Sequence, residues 1–382
     1  MKILAMAHTY YMLLVLVQLK VTVFRDDDMD LIFTDACKES NIIFPRIKST
    51  GLFRQHYYLR RSDISLPEHE KKLKKFVNLL ASVYDGQKTL ERAGLMNIDF
   101  RYDRFLCYVS GRIEEQIIYN EIKKKNLNAE VNLYEESYVS YYSPKGILSI
   151  ENKQPGFNQI KLLPILMHIF GKKDLLIDNN ISYAWCFEPD FIQYKSDFKI
   201  GRIPKLDQHS NEVIKMLNYI FEYEDIGNEF DVNKIFLEDS WYMKDKNYGD
   251  LDLISEIYRN CNDKENFLVK LHPRTINDRF KSLGIPTAKS NIPLELLVLN
   301  GENEKKIFLT IGSGAPLVCL VNFNMENKVI MLYKCCTMLV DAITDEKFIK
   351  YLEMLKHKYP DQLFIPEDKE ELKEILAGIE VN

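Results

Sequence analysis

Short apolar runs alternate with longer amphipathic stretches along this chain, and no other feature constrains its fold as strongly. Runs such as 2–7, 31–35 and 234–237 have the length and composition of buried strands. The stretches between them are long enough to form helices that connect parallel strands. This alternation is typical of α/β proteins, in which helices cover a parallel sheet.

The alternation of strands and helices is present in both halves of the chain. Strand–helix–strand units are predicted within the first 35 residues and again from 105 to 134. The second half repeats the pattern, with strands predicted at 234–237, 267–271, 306–310 and 328–333. At 382 residues the chain is long enough for two domains. We expect two Rossmann-like domains facing a cleft, at 1–205 and 206–382.

Charge and cysteine content narrow the function classes. The formal net charge of −5 argues against a nucleic-acid-binding protein, which is usually basic. Seven cysteines without a C-x-x-C spacing favour a reducing compartment over a disulfide framework or a zinc site. The apolar stretch 10–24 is too short and too interrupted to span a membrane. We expect a cytoplasmic protein, and the sequence is compatible with peripheral membrane contact and with a homodimer.

The segment Lys270-Leu271-His272-Pro273-Arg274 is the most informative motif. A histidine follows an apolar run at the point where a parallel strand should end, and ligands of parallel sheets bind at that edge. The imidazole of His272 can donate a proton or a hydrogen bond to a phosphate. Lys270 and Arg274 are suited to the same anion. A structural histidine in a loop is the alternative interpretation.

A second candidate anion site is Gly312-Ser313-Gly314, which directly follows a predicted strand. Small residues let backbone N–H groups approach an anion, and Ser313 adds a hydroxyl donor. An ordinary glycine-rich turn is the alternative. Glu295, on the short helix before that strand, could accept hydrogen bonds from ribose hydroxyls, or it could be an exposed helix residue.

Carboxylates follow one predicted strand in each half of the chain. Glu135 and Glu136 come at the end of the strand at 129–134, and Asp239 follows the strand at 234–237 beside Glu238. Each could supply a general base, and each could also belong to a solvated acidic loop.

His8 and Tyr10, after the first strand, could contact an acceptor in the same cleft. Two D-x-D sequences, at 26–28 and 250–252, are interpreted as a solvated turn and a helix start rather than as metal sites. The sequence therefore predicts no metal site and no cofactor.

Taken in order, these motifs resemble a known family. The opening 1–16, Tyr134-Glu135-Glu136, the His-Pro motif at 270–274 and Gly312-Ser313-Gly314-Ala315-Pro316-Leu317 are similar to segments of bacterial sialyltransferases. The family in question includes the lipooligosaccharide α-2,3-sialyltransferases (glycosyltransferase family 52). The resemblance covers most of residues 1–335. Two positions differ from the family pattern, Ser137 after the acidic pair and Leu271 before the histidine.

The resemblance implies a GT-B type enzyme that transfers sialic acid from CMP-sialic acid, with inversion and without a metal. The acceptor would be a terminal sugar, such as galactose, of a surface glycan such as lipooligosaccharide or capsule. His272 would act as general acid on the departing phosphate, which Ser313 and its glycines would hold, with Pro273 beside it and Glu295 on the ribose. The base would be Glu135, Glu136 or Asp239. A same-fold enzyme using another nucleotide sugar, such as a UDP-hexose, and a non-catalytic scaffold protein are the alternatives.

Overall fold

The chain folds into two compact units, Met1–Pro204 and Lys205–Asn382, in a computed structural model. The division falls one residue before the boundary expected from the sequence. The structure describes residues 1–64, 70–96, 98–108, 113–142, 159–206, 210–223, 227–239, 249–290, 292–301, 306–323, 326–337 and 345–380.

The first unit is built on a seven-stranded sheet whose strands all pair in parallel. Its strands are β1 (Lys2–Ala7), β2 (Asp28–Thr34), β3 (His56–Leu59), β4 (Arg104–Cys107), β5 (Glu130–Tyr134), β6 (Ile181–Cys186) and β7 (Lys199–Arg202). They lie in the order β3-β2-β1-β4-β5-β6-β7, so the direction of winding reverses between β1 and β4. This is the arrangement of Rossmann-like sheets.

Helices supply the hydrophobic cover of this sheet. They are α1 (Tyr10–Val21), α2 (Ser40–Ser49), α3 (Lys72–Tyr84), α4 (Gly86–Arg92), α5 (Ile113–Lys125) and α6 (Gln159–Ile169). Residues 12–19 of α1 are all buried, which explains why this stretch is apolar on every side without being a membrane span. On α3, α5 and α6, side chains including Leu79, Ile117 and Leu163 pack into one core with β4 and β5.

The second unit is built on a six-stranded sheet in which every pairing is again parallel. Its strands are β8 (Lys234–Leu237), β9 (Phe267–Lys270), β10 (Thr287–Ala288), β11 (Ile307–Thr310), β12 (Lys328–Met331) and β13 (Leu363–Phe364). The order is β10-β9-β8-β11-β12-β13, so the winding reverses between β8 and β11. Its helices are α7 (Asn211–Phe221), α8 (Asp250–Asn260), α9 (Leu294–Asn300), α10 (Ala315–Asn322), α11 (Glu346–Lys358) and α12 (Lys369–Glu380).

The predicted fold class of two parallel α/β domains is confirmed by these sheets. Most predicted strands lie within a residue or two of β1, β4, β5, β8, β9 and β11. The strand predicted at 328–333 ends earlier, at Met331, and Tyr333 belongs to a short 3₁₀ turn. The ends of the strand predicted at 105–110 fall partly outside the described residues.

Within the described ranges, no helix combines the length and apolar character that a membrane crossing requires.

Candidate functional site

The carboxyl edge of the second sheet brings several of the predicted residues together. Asp239 lies just beyond β8, His272 just beyond β9, and Gly312 with Ser313 just beyond β11. Because β8 lies between β9 and β11, these loops are neighbours at the point where the winding reverses. In parallel α/β sheets, ligands bind outside the carboxyl ends of the strands at this reversal point.

Hydrogen bonds fix both the loop and the tautomer of His272. Its Nδ1 accepts from the backbone N–H of Arg274 at 3.1 Å, so the hydrogen of the neutral ring lies on Nε2. Burial, with the nearby positive charges of Arg274 and Lys270, lowers the pKa of this half-buried imidazole. At neutral pH the ring is therefore an Nε2–H donor. An Nε2–H can donate a hydrogen bond to a phosphate, and the expected general-acid role stays a prediction.

Glu238 holds the His272 loop in place. One carboxylate oxygen, Oε2, accepts from the His272 backbone N–H at 3.1 Å and from the Thr275 hydroxyl. The other, Oε1, accepts from the Arg279 guanidinium at 3.3 Å. The side chain is buried, so its charge is compensated by these donors rather than by water. The sequence indicates Glu238 only as part of an acidic pair that could supply a base, and its contacts instead make it a positioning residue.

Asp239 is the carboxylate at the reversal point. Its Oδ2 accepts from the backbone N–H of Gly312 at 3.2 Å and from the Thr310 hydroxyl at 3.4 Å. Burial raises the pKa of Asp239 to about 7, despite these two donors. The side chain keeps part of its surface exposed. A half-buried carboxylate with a pKa near neutrality is suited to accept a proton from a substrate.

The glycine-serine loop is used partly within the protein itself. The Gly312 N–H binds Asp239, and the Ser313 N–H donates to the Thr310 hydroxyl at 2.9 Å. Both N–H groups are therefore used within the protein, whereas the sequence predicts that they bind a ligand anion. The Ser313 hydroxyl accepts from the Ala315 N–H at 3.4 Å, at the start of α10, with Gly314 between them. An anion contact from this loop would come from that hydroxyl and the helix start.

Lys270 is buried rather than turned to a ligand. Its ammonium donates to the Ser290 carbonyl at 3.2 Å and lies over the Phe230 ring, 5.8 Å from the centroid. Burial lowers the pKa of Lys270 to about 8. The expected phosphate contact therefore falls to Arg274, which is exposed like its neighbour Pro273.

Glu295 lies buried on α9, where burial raises the pKa of its carboxyl to about 7 and the Lys270 ammonium partly offsets the rise. Its folded-state pKa exceeds the unfolded one, so the associated stability is present below about pH 4.5 and lost as pH rises through about 7. We expect wild-type stability to fall between pH 5 and pH 8. Glu295→Gln should flatten that fall by on the order of 2 kcal/mol in chemical denaturation.

The exposed carboxylate of Glu353 gives the matched control, because Glu353→Gln should leave the slope of stability against pH unchanged. A Glu295→Gln protein whose stability still falls with pH as steeply as the wild type would show that this carboxyl is not the source.

Glu135 and Glu136, the acidic pair of the first unit, have different surroundings. Glu135 is 1% exposed and accepts from the Tyr141 and Tyr11 hydroxyls and from the Phe187 N–H. Burial raises the pKa of Glu135 to about 7. It connects β5, α1 and the segment after β6, so its contacts are those of a structural brace. Glu136 is half-buried and accepts from the Ser137 hydroxyl at 2.9 Å.

His8 is enclosed at the carboxyl edge of the first sheet. Its Nε2 lies 2.6 Å from Glu115 Oε1 and its Nδ1 lies 3.1 Å from the Thr34 hydroxyl. The side chain is 1% exposed, so direct contact with an acceptor, as expected from the sequence, would require these partners to move. Tyr10, two residues after His8 in the sequence, is half-buried.

The sequence does not predict the buried charges around His8. Glu114 pairs with Arg61 at 3.0 Å, and although burial opposes the shift, Arg61 and His8 hold the pKa of Glu114 below its ordinary value. Periodicity places Glu114 and Glu115 on a helix, yet it does not indicate that this helix start is buried.

One aspartate in each of the segments 26–28 and 250–252 forms an ion pair. Asp27 binds the Met1 ammonium at 2.7 Å, and Asp250 binds Arg279 at 2.7 Å. In the part of the chain that the structure describes, no group of three or more His, Cys, Asp or Glu side chains is arranged to hold a metal ion.

No family model and no curated protein matches this chain. Among solved structures, it is similar to Arabidopsis thaliana UGT89C1 complexed with UDP, with a TM-score of 0.49 and 11% identity over 98% of this chain and 89% of that one. The calicheamicin glycosyltransferase CalG4 gives 0.44 and 11% over 96% and 86%. MurG of Acinetobacter baumannii gives 0.45 and 8% over 100% and 90%. None of these values is high enough to indicate a shared function.

Proposed function

We propose that this chain is a GT-B type glycosyltransferase whose second unit holds a nucleotide-activated sugar. The observation that carries the proposal is the meeting of His272, Asp239 and Ser313 at the reversal point of one parallel sheet. A hydrogen-bond donor of fixed tautomer, a titratable carboxylate and a hydroxyl at a helix start are the groups that a sugar phosphate requires.

The residues divide the work of an inverting displacement. The bond between the anomeric carbon and the phosphate oxygen breaks as the acceptor oxygen attacks from the opposite face. His272 donates its Nε2–H to the phosphate as negative charge develops there, and Arg274 and Ser313 add further stabilisation. Asp239 removes the proton from the acceptor hydroxyl. Glu238 holds the His272 loop in place through its hydrogen bond with the His272 backbone N–H.

Two donors follow from this proposal. The motif resemblance makes CMP-sialic acid one candidate, with a terminal galactose of a surface glycan as acceptor. Another nucleotide sugar, such as a UDP-hexose, is the other and needs the same groups at the phosphate. Neither donor requires a metal in this scheme, so we expect transfer to persist in excess chelator.

Nucleotide release identifies the donor. The purified chain is incubated with CMP-sialic acid and, separately, with a panel of UDP-hexoses, and free CMP or UDP is quantified with and without galactose-terminated acceptor. Release from one class identifies the donor, and the release should be lost in His272→Ala. If neither class is turned over, and glycan production in cells carrying His272→Ala equals the wild type, the chain acts as a scaffold and the enzymatic proposal is wrong.

A further inference from the structure

The outer surfaces of α3 and α6 in the first unit expose an unusual concentration of apolar side chains. Among the described residues, six of the fourteen exposed large hydrophobic side chains belong to this pair of helices and the residue after α6: Leu73, Val77, Tyr84, Ile165, Ile169 and Phe170. We refer to these six as the α3–α6 patch. The Tyr84 and Phe170 rings lie 6.2 Å apart, so the exposed side chains of the two helices meet at this end. Single exposed apolar residues need no explanation, but a contiguous set indicates an interaction surface.

The patch is not a by-product of core packing. The inner face of α3 buries Leu79 and Val83, and the inner face of α6 buries Leu163 and Met167. Leu73, Val77 and Tyr84 follow helical spacing along the outer edge of the apolar face of α3, where Leu73 and Tyr84 are 73% and 74% exposed. The apolar surface of these helices therefore extends beyond the part that the fold buries.

Lysines surround the patch in an arrangement that the helix alone does not favour. Lys71, Lys72, Lys74 and Lys75 occupy the start of α3, and its first turn contains no acidic residue. Cations at a helix N-terminus oppose the helix dipole. Lys74 has an ion pair with Glu70 at 2.8 Å, whereas Lys71 and Lys72 are exposed. After α6, Lys173 is exposed, whereas the Lys172 ammonium donates to the Val83 carbonyl at 2.6 Å, at the end of α3.

We propose that the α3–α6 patch binds the surface of an anionic lipid bilayer. Apolar side chains on two neighbouring helices could enter the headgroup boundary while the flanking lysines contact lipid phosphates. Anionic lipids would also relieve the unfavourable concentration of positive charge at the start of α3. The whole chain has a net charge of −5, so this positively charged cluster is opposite in sign to the net charge of the molecule. The proposal does not depend on which donor the second unit uses.

Vesicle flotation of the full-length chain provides the test. We expect binding to vesicles of equal parts phosphatidylcholine and phosphatidylglycerol, weak binding to phosphatidylcholine alone, and loss of binding as salt is raised. Each of Lys71→Gln and Lys72→Gln should lower the partition coefficient about fivefold. The double variant Leu73→Ser/Val77→Ser should lower it at least about tenfold.

Leu127→Ser is the matched apolar control, since Leu127 is 79% exposed in the same unit but follows α5 and is not part of the patch. Transfer to a soluble acceptor should be the same in the wild type and in the patch variants, so a failure of this proposal is separable from a failure of the proposed function. Equal binding to both vesicle types, or patch variants that bind like the wild type, would overturn it. The proposal would also be overturned if the wild type does not bind vesicles but forms a dimer in sedimentation velocity, and the patch variants do not form that dimer.

Discussion

Replacing His272 with alanine should lower the rate of sugar transfer about 100- to 1,000-fold, because it removes a pre-positioned donor to the leaving phosphate. The informative comparison is His272→Gln. The glutamine side-chain amide can place an N–H near the position of Nε2, and it cannot act as an acid. If His272 acts as the neutral donor that its Arg274 contact dictates, glutamine should restore a measurable part of the activity lost in alanine. Steady-state rates with saturating donor and acceptor provide the measurement.

His357→Ala on α11 serves as a control, because that histidine is exposed and remote in sequence from the site. A His272→Gln enzyme as slow as His272→Ala, together with a wild-type rate that requires a protonated group of lowered pKa, would favour the general-acid role instead. Circular dichroism and thermal unfolding of each variant separate loss of chemistry from loss of fold.

Replacing Asp239 with asparagine should lower transfer about 10²- to 10⁴-fold, the usual contribution of a general base. The exchange is nearly isosteric, and the amide oxygen can still accept from the Gly312 N–H, so the loop should keep its shape. The pKa of Asp239 is raised to about 7 by burial, and the base must be ionised. The wild-type rate should therefore fall about tenfold for each pH unit below 7. The residual rate of Asp239→Asn should not show this decrease at low pH, which is the acid limb of the pH–rate profile.

The rival carboxylates define the alternative outcome. Glu136→Gln removes a half-buried acid without disturbing the Glu135 brace, and it should change the rate by no more than a fewfold. If Glu136→Gln abolishes the acid limb and Asp239→Asn retains it, the base belongs to the first unit. Glu135→Gln should mainly lower the melting temperature, because Glu135 accepts from two tyrosine hydroxyls and one backbone N–H.

The fold could be predicted where apolar runs are buried on both sides. The strands β1 and β8 were predicted with the bounds that the structure has, since Ile3–Ala7 and Ile235–Leu237 are almost entirely buried. The strands β6 and β7 were missed, because their side chains are partly exposed and aromatic or polar. In β7, Gly201 weakens the strand signal, yet a Cβ there would come within 2.4 Å of the Trp185 ring, so glycine is required by close packing.

The candidate site was predictable in its positions but not in its contacts. Strand ends can be located from sequence, which is why His272, Asp239 and Ser313 were found. Whether a polar group is turned outward or is used within the protein depends on tertiary packing. Sequence therefore assigned Lys270 to a phosphate although its ammonium binds Ser290, and it gave Glu238 no supporting role although it anchors three neighbours.

The strand order of the first unit also has a consequence during synthesis. β1 is made first, yet it lies in the interior of the sheet, between β2 and β4. Its second neighbour is supplied only when the chain reaches Arg104, which pairs with Ile3. Until then, a nascent chain presents one open edge of a strand that is apolar from Ile3 to Ala7, a template for wrong pairing. We expect truncated chains that stop before β4 to aggregate or to be retained by chaperones on the ribosome, and chains extended through the edge strand β7 to be released.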